Sequence, residues 1–315
     1  MKKFQIIFLF SFFLTLVGCQ NSPHKTTISD TTKSEKISVV TSFYPLAFIT
    51  KQIVGEKGEI VNLSGSTDIH KYRPSPQDII KLNKADLVVI QGSGLEPWAE
   101  DILPILKQKN KHILEINHNL SLQKMEKPKH HDEKHEEHHH EGFDPHTWLD
   151  PVLAQNIVDI ITQSLKNIDP KNKTYYRNNA ENIKQQFKAL DTAYQKTLSS
   201  CERNEIITSH DAFGYLARRY GFKAYSIAGL STHDEPSAHT LAELKNEAKE
   251  GITHILTEQN NITRFAETLS DETGLQMLPL NTLGRGTLDL EKDFFDIMND
   301  NLQTLKTALG CQSSK

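Results

Sequence analysis

Histidine is the residue type whose number and placement in this sequence point most directly to chemistry. The chain contains 15 histidines, and the neutral imidazole ring is a common ligand of transition metals. In open parallel sheets, ligands bind beyond the carboxyl ends of the strands. A histidine that follows a predicted strand is therefore a candidate ligand, whereas a lone histidine in a loop is more often a solvated surface residue.

Three histidines meet this condition. His70 and His146 lie in loops that come after predicted strands of the first half of the chain, and His210 directly follows a strand of the second half. Three neutral imidazoles are the protein ligands of many zinc sites that keep a fourth position open. The placement predicts one Zn²⁺ site, with an affinity that falls below about pH 6.5, where free imidazole takes up a proton.

The elements that must position these histidines alternate between strand-like and helix-like segments. The alternation occurs once before and once after a central stretch that has no strand signal. It favours an α/β fold with two lobes, each a parallel sheet with covering helices. The predicted strands are Ile37–Thr41, Glu59–Leu63, Asp86–Ile90, His112–Ile116, Glu205–Thr208, Phe222–Ile227, Thr253–Thr257 and Gln276–Leu280.

A long helix is predicted between the two lobes. From Pro170 to Thr197 the chain has no glycine and no further proline. Apolar residues recur there at spacings of three, four and seven, which is the pattern of one helix face. A helix of this length spans about 40 Å and would act as a rigid strut. Its core-facing residues are predicted to be Tyr176, Ile183, Phe187, Leu190 and Tyr194.

The first residues predict export and a lipid anchor. Two lysines precede an apolar stretch of 14 residues, Phe4–Val17, which is too short to span a bilayer and is typical of a secretory signal. The sequence Leu16-Val17-Gly18-Cys19 at its end resembles a bacterial lipobox. We therefore expect residues 1–18 to be removed and Cys19 to carry the lipid. The alternative is an ordinary signal peptide with a chance cysteine.

The composition of the remaining chain limits its partners and its location. Without residues 1–18 it has 34 basic and 40 acidic residues and no basic stripe, so no nucleic-acid partner is expected. The polar segment 19–36 is too poor in apolar residues to fold and is expected to be a flexible tether. Cys201 and Cys311 are left as a pair, and we expect a disulfide because such bonds persist in an oxidising compartment.

Four motifs resemble those of one known family. His70–Asp78 looks like H-x-Y-x-P-[ST]-P-x-D, and Asp144–Asp150 looks like D-P-H-x-W-L-[DN]. Ser209–Leu216 resembles a third motif, and Gly229-Leu230 followed by Glu235-Pro236-Ser237 resembles a fourth, so the likeness covers residues 37–309. The family is that of the metal-binding proteins of cluster A-I ABC importers, and its nearest branch is the zinc-uptake lipoproteins.

The resemblance implies a bilobed fold that holds metal in its cleft. It also implies a non-enzymatic, monomeric protein on the outer face of the bacterial cytoplasmic membrane that delivers zinc to the membrane permease of an ABC importer. The expected domains are the signal peptide 1–18, the tether 19–36, the N-terminal lobe 37–149, the helical linker 150–200 and the C-terminal lobe 201–315.

Manganese is the alternative cargo within the same family. Manganese-binding relatives carry a carboxylate at the position of His210. Carboxylate oxygens suit manganese whereas imidazole suits zinc, so zinc is preferred. Two other functions remain open, namely a surface adhesin and a zinc hydrolase, although the sequence offers no obvious nucleophile or oxyanion motif for the latter.

The fourth ligand is not fixed by the motifs. The family often has an acidic residue after the last strand of the second lobe, where this chain has Asn281. An amide oxygen is a poorer zinc ligand than a carboxylate, so we expect water in the fourth position, with Asn281 as the alternative. Zinc bound by three neutral histidines keeps its full double charge, which is costly to leave uncompensated in a cleft. We therefore expect a nearby carboxylate that offsets this charge without binding the ion. Glu258 is the candidate, because it ends a neighbouring strand at the same edge of the sheet.

A histidine-rich insert lies shortly before His146. Residues 130–141 include six histidines, five acidic residues and no apolar residue. Such a segment is expected to be a flexible, solvated loop. Zinc-type members of the family carry a comparable loop, which favours a weak, multi-site zinc collector. The alternative is a spacer without function.

Overall fold

The computed structural model describes residues 36–120, 143–231, 235–258, 264–286 and 291–312. Cys19, most of the tether and the histidine-rich insert 130–141 lie outside these described residues, so their roles stay predictions. Within the described ranges, no helix combines the length and the apolar character that crossing a membrane requires.

Two four-stranded parallel sheets form the framework. The strands are β1 Ile37–Thr41, β2 Gly58–Asn62, β3 Leu87–Ile90, β4 His112–Glu115, β5 Glu205–His210, β6 Lys223–Ala228, β7 His254–Thr257 and β8 Gln276–Pro279. The first sheet has the order β2-β1-β3-β4 and the second the order β6-β5-β7-β8, so both halves repeat one topology. The eight predicted strands are confirmed, and β5 is two residues longer than predicted because it continues to His210.

Helices connect and cover the strands. They are α1 Tyr44–Val54, α2 Pro76–Lys84, α3 Ala99–Gln108, α4 Ile116–Asn119, α5 Pro151–Ile168, α6 Lys173–Leu198, α7 Gly214–Tyr220, α8 Ala238–Lys249, α9 Arg264–Thr273 and α10 Phe294–Leu309. Ser75 and Asp78 form a capping box at α2, in which each side chain accepts a hydrogen bond from the other residue's backbone N–H. Such a cap satisfies amide groups that the first helical turn leaves without partners.

Helix α6 joins the two halves as predicted. It has 26 residues and therefore spans about 39 Å. Its buried residues include the five that the sequence pattern assigned to the core. Near its start, Asn179 donates a hydrogen bond to the carbonyl of Ile53 in α1, and near its end Tyr194 donates one to Met298 in α10. The helix is thus anchored to elements of both halves.

Among the described residues, the core consists of three apolar clusters, and one of them runs through both halves. The clusters are separate because neighbouring residues of a strand face opposite sides of the sheet. Val39 of β1 and Ile206 of β5 join a shared cluster that includes residues of α1, α5, α6 and α10. Val40 packs instead with Leu82 of α2, and Ile207 packs under α8 and α9. The shared cluster fixes one sheet relative to the other.

The predicted disulfide between Cys201 and Cys311 is present. Cys201 lies between α6 and β5, and Cys311 follows α10. The backbone N–H of Arg203 donates to the carbonyl of Leu309 at 3.0 Å beside it. The bond therefore ties the two ends of the second half together.

Candidate metal centre

The side chains of His70, His146 and His210 converge on one point. One possible ligand atom from each lies within 4.8 Å of the other two, and their ring centroids are 5.5 to 5.8 Å apart. Over the described ranges, this is the one group of three or more histidine, cysteine or acidic side chains placed closely enough to share a metal ion.

Different elements deliver the three rings. His210 is the last residue of β5, His70 lies in the turn between β2 and α2, and His146 immediately precedes a short 3-10 turn that leads into α5. The first half thus supplies two rings and the second half supplies one. Because these elements belong to two sheets, the arrangement depends on how both halves pack against the shared core.

His146 and His210 have nitrogens that are available to a ligand. Their side chains are buried, with 1% and 3% of their surface exposed. Neither Nε2 atom has a hydrogen-bond partner among the described residues. Buried polar atoms are otherwise almost always paired, so two unpaired nitrogens beside a third imidazole fit a metal ion, which accepts their lone pairs.

Burial also keeps these two rings in the form that binds metal. It lowers the pKa of His146 to about 3 and holds the pKa of His210 well below its ordinary value of 6.5. Both imidazoles are therefore neutral at physiological pH, as metal binding requires. The sequence-based expectation that ring protonation begins near pH 6.5 is wrong for these two residues, because desolvation disfavours their charged forms.

Asp144 orients the ring of His146. Its Oδ1 lies 2.7 Å from Nδ1 of His146 and accepts a hydrogen bond from the backbone N–H of the same residue at 2.9 Å. When Asp144 is ionised it can only accept, so in that state the ring proton lies on Nδ1 and Nε2 is the metal-binding nitrogen. Burial raises the pKa of Asp144 to about 7. Its place two residues before a candidate ligand was the sequence signal for this role.

A buried amide network supports the loop that carries His146. The side-chain Nε2 of Gln91 donates to Asn117 Oδ1 and to Thr147 Oγ1, each at 2.7 Å. The amide of Asn117 donates in turn to the carbonyl of Pro145 at 3.3 Å. Pro145 and Thr147, on either side of His146, are therefore held by Asn117 of α4 and by Gln91, which directly follows β3. Sequence reasoning missed this network, since its members are dispersed along the chain.

The two residues expected near the fourth zinc ligand position, Glu258 and Asn281, lie at the carboxyl-end edge of the second sheet, where His210 also lies. Glu258 follows β7, is buried and accepts a hydrogen bond from the hydroxyl of Thr282. It lies outside the three-histidine group. Asn281 follows β8, and its side-chain oxygen accepts a hydrogen bond from the backbone N–H of Leu283 at 2.7 Å. The amide oxygen of Asn281 is thus engaged in a turn.

The loop after β8 also contacts the segments that carry the histidines. The indole N–H of Trp148 donates to the carbonyl of Thr282 at 2.8 Å. The backbone N–H of Ile69 donates to the carbonyl of Gly284 at 3.1 Å. These two bonds cross between the halves directly beside His70 and His146.

The fold and the site together define the class, which is a two-lobed α/β solute-binding protein with a candidate metal centre between its lobes. A family model described as zinc-uptake complex component A, periplasmic, matches residues 39–308. The chain belongs to this family.

Known relatives agree with this assignment. The chain is 38% identical to the high-affinity zinc uptake system protein ZnuA of Bacillus subtilis, and the alignment covers 99% of each. It is 34% identical to the zinc-binding lipoprotein AdcA of Streptococcus pneumoniae over 97% of this chain, but it spans 61% of that longer protein. The solved structure of the laminin-binding protein Lmb of Streptococcus agalactiae has a TM-score of 0.75 and 30% identity, over 87% of this chain and 99% of Lmb.

Proposed function

We propose that this chain captures zinc outside the cytoplasm and delivers it to the membrane permease of an ABC importer. The observation that carries the proposal is the convergence of three imidazoles from two lobes, two of them with buried, unpaired Nε2 atoms. Such a donor set suits zinc. The family and the relatives named for zinc uptake support the same cargo.

We propose that the protein acts as a monomer tethered to the outer face of the cytoplasmic membrane through a lipid on Cys19. The lipobox-like sequence before this residue supports the anchor, as does the relative named as a zinc-binding lipoprotein. Labelling with radioactive palmitate, with Cys19→Ala as the control, tests it. Label that persists in this variant contradicts attachment at Cys19.

We propose that water completes the zinc coordination and that Glu258 offsets part of the ionic charge. The hydrogen bond from Leu283 to the side-chain oxygen of Asn281 supports water over the amide. The burial of Glu258 at the same sheet edge supports its electrostatic role. A zinc-bound crystal structure decides the point, because a carboxylate oxygen at about 2.0–2.2 Å from the ion would contradict it.

Replacement of His210 by alanine tests the ligand assignment. Zinc affinity is measured by competition with a chromophoric chelator. We expect a loss larger than the roughly 10–100-fold that removal of a supporting residue causes, because one of three protein ligands disappears. His112→Ala is a matched control, since His112 is exposed and is the first residue of β4, at the strand end away from the metal centre. Unchanged affinity in the His210 variant would refute the assignment.

Manganese is the competing cargo. Affinity for divalent ions at a given nitrogen site generally rises from manganese to zinc. We therefore expect manganese to bind more weakly than zinc in the same titration. Equal or tighter manganese binding would reverse this choice of cargo.

An adhesin role is the second candidate function. The observation that favours it is the structural similarity to Lmb, which is described as a bifunctional protein with adhesin and metal transporting activity. Binding of purified protein to immobilised laminin, with and without zinc, tests it. Failure to bind in both conditions would remove this candidate.

A further inference from the structure

The loop after β8 places a cation between two carboxylates near the metal centre. Nη2 of Arg285 lies 3.4 Å from Oδ2 of Asp68, and its Nε lies 3.8 Å from Oε2 of Glu258. Asp68 comes from the first half, two residues before His70, whose backbone N–H it accepts at 3.0 Å. Arg285 therefore bridges the two halves beside a candidate ligand.

Both carboxylates need a compensating charge. Asp68 and Glu258 are buried, with 5% and 7% of their surface exposed, and burying a carboxylate without compensation is costly. Arg285 supplies this charge from a side chain that is 29% exposed. Its two contacts are longer than the about 2.7–2.9 Å of a tight charged hydrogen bond. The guanidinium can therefore shift toward solvent without breaking a short bond.

The negative charge of Asp68 reaches the candidate ligands. It raises the pKa of both His146 and His210, in opposition to the larger lowering caused by burial. Its field therefore acts where a divalent cation would bind. Three neutral imidazoles offer no charge to balance Zn²⁺, so the two carboxylates that Arg285 neutralises belong, with Asp144, to the groups that would otherwise balance it.

We propose that Arg285 is a substitute cation, which neutralises Asp68 and Glu258 when no zinc is bound and thereby weakens zinc binding enough to keep the ion releasable. The proposal rests on the proposed zinc-binding function. It makes Arg285 a positioning residue that acts on the ion through the carboxylates. If Arg285 only held the two halves together, its loss would instead weaken zinc binding, because the three histidines would be less well positioned.

Charge-neutral and charge-retaining variants test this. Zinc affinity is measured by chelator competition, and zinc dissociation by stopped flow with a chelator in excess. We expect Arg285→Gln to bind zinc about tenfold more tightly and to release it correspondingly more slowly, because it removes a neighbouring positive charge. Arg285→Lys retains the charge and should stay close to the wild type.

Arg219→Gln is the matched control. Arg219 pairs with Asp150 at 2.5 Å and is also 29% exposed. Loss of this pair should leave zinc affinity unchanged. Weaker or unchanged zinc binding by Arg285→Gln would overturn the proposal, and so would an equal gain in affinity for the Arg219 variant.

Asp68→Asn gives a second test, and the single variant does not depend on the folding of the Arg285 variants. The amide oxygen can still accept the backbone N–H of His70, but the negative charge is gone. We expect about tenfold weaker zinc binding, and a smaller effect of Arg285→Gln in this background than in the wild type. Wild-type affinity of Asp68→Asn would overturn the proposal. Failure of the wild-type protein to bind zinc would instead contradict the proposed function itself.

Discussion

Removal of the disulfide should destabilise the protein strongly and leave zinc binding intact. The perturbation is the double replacement of Cys201 and Cys311 by serine. These residues are 110 positions apart in the chain. In the chain-entropy model, opening a loop of this length costs about 4.8 kcal/mol at 25 °C, which is a large part of the 5–15 kcal/mol typical of a folded protein.

The disulfide lies far from the metal centre, so its loss should lower the stability without changing the zinc affinity. Cys201 lies before the start of β5, whereas His210 is its last residue. Five residue steps from Glu205 to His210, at about 3.3 Å each, place the two ends of β5 about 17 Å apart. The disulfide therefore constrains the second half from the end that is opposite to the metal centre.

Urea unfolding in the presence of a chelator, followed by circular dichroism, measures the stability. With a slope of about 3 kcal/mol per molar urea, the midpoint should fall by about 1.6 M. Wild-type protein kept under reductant is the control and should unfold at a similar midpoint. A stability loss below about 1 kcal/mol would refute the entropic reasoning. A clear change in zinc affinity would show that the disulfide does influence the metal centre.

Three further predictions concern the metal centre. Deletion of residues 130–141 should lower the total zinc bound but leave the tightest affinity nearly unchanged in a calorimetric titration, because flexible ligands lose chain entropy on binding; loss of the tight site would show that the insert supplies a ligand. Asn281→Asp should bind zinc more tightly and release it more slowly in chelator-exchange kinetics, because a carboxylate is a better ligand than an amide; slower release without tighter binding would contradict this. Zinc affinity should fall about tenfold per pH unit below pH 7. Burial raises the pKa of Asp144 to about 7, so Asp144 takes up a proton below this pH and donates it to Nδ1 of His146. The ring proton then lies on Nε2 and blocks the nitrogen that binds zinc. Titrations from pH 5.5 to 8 check the slope, and Asp144→Asn, whose oxygen only accepts, should flatten it.

The sequence predicted those features that depend on local patterns. Continuous apolar runs marked the strands, and the spacing of Tyr176, Phe187 and Tyr194 marked the buried face of α6. The position of a histidine after a strand was enough to select His70 and His210, because the carboxyl ends of parallel strands share one edge.

Other features depend on contacts between distant residues, which periodicity does not encode. Asp68 and Arg285 are 217 positions apart, and they meet because the two halves pack around a shared core. The extension of β5 to His210 follows from its pairing with Ala228 of β6. The neutral state of His146 follows from its burial among residues of several elements, so its pKa could not be read from the residue type.

The shared apolar cluster has a consequence for cooperativity. It contains Ile37 from the first strand and Leu309 from the last helix, with the buried face of α6 between them. Neither sheet can lose its packing without exposing apolar surface on the other, so the two halves should melt together in a single calorimetric transition. A protease that cuts between them would leave fragments that each expose part of this cluster. The two-lobed protein should therefore behave as one folding unit, so that damage to either lobe exposes the whole chain to degradation.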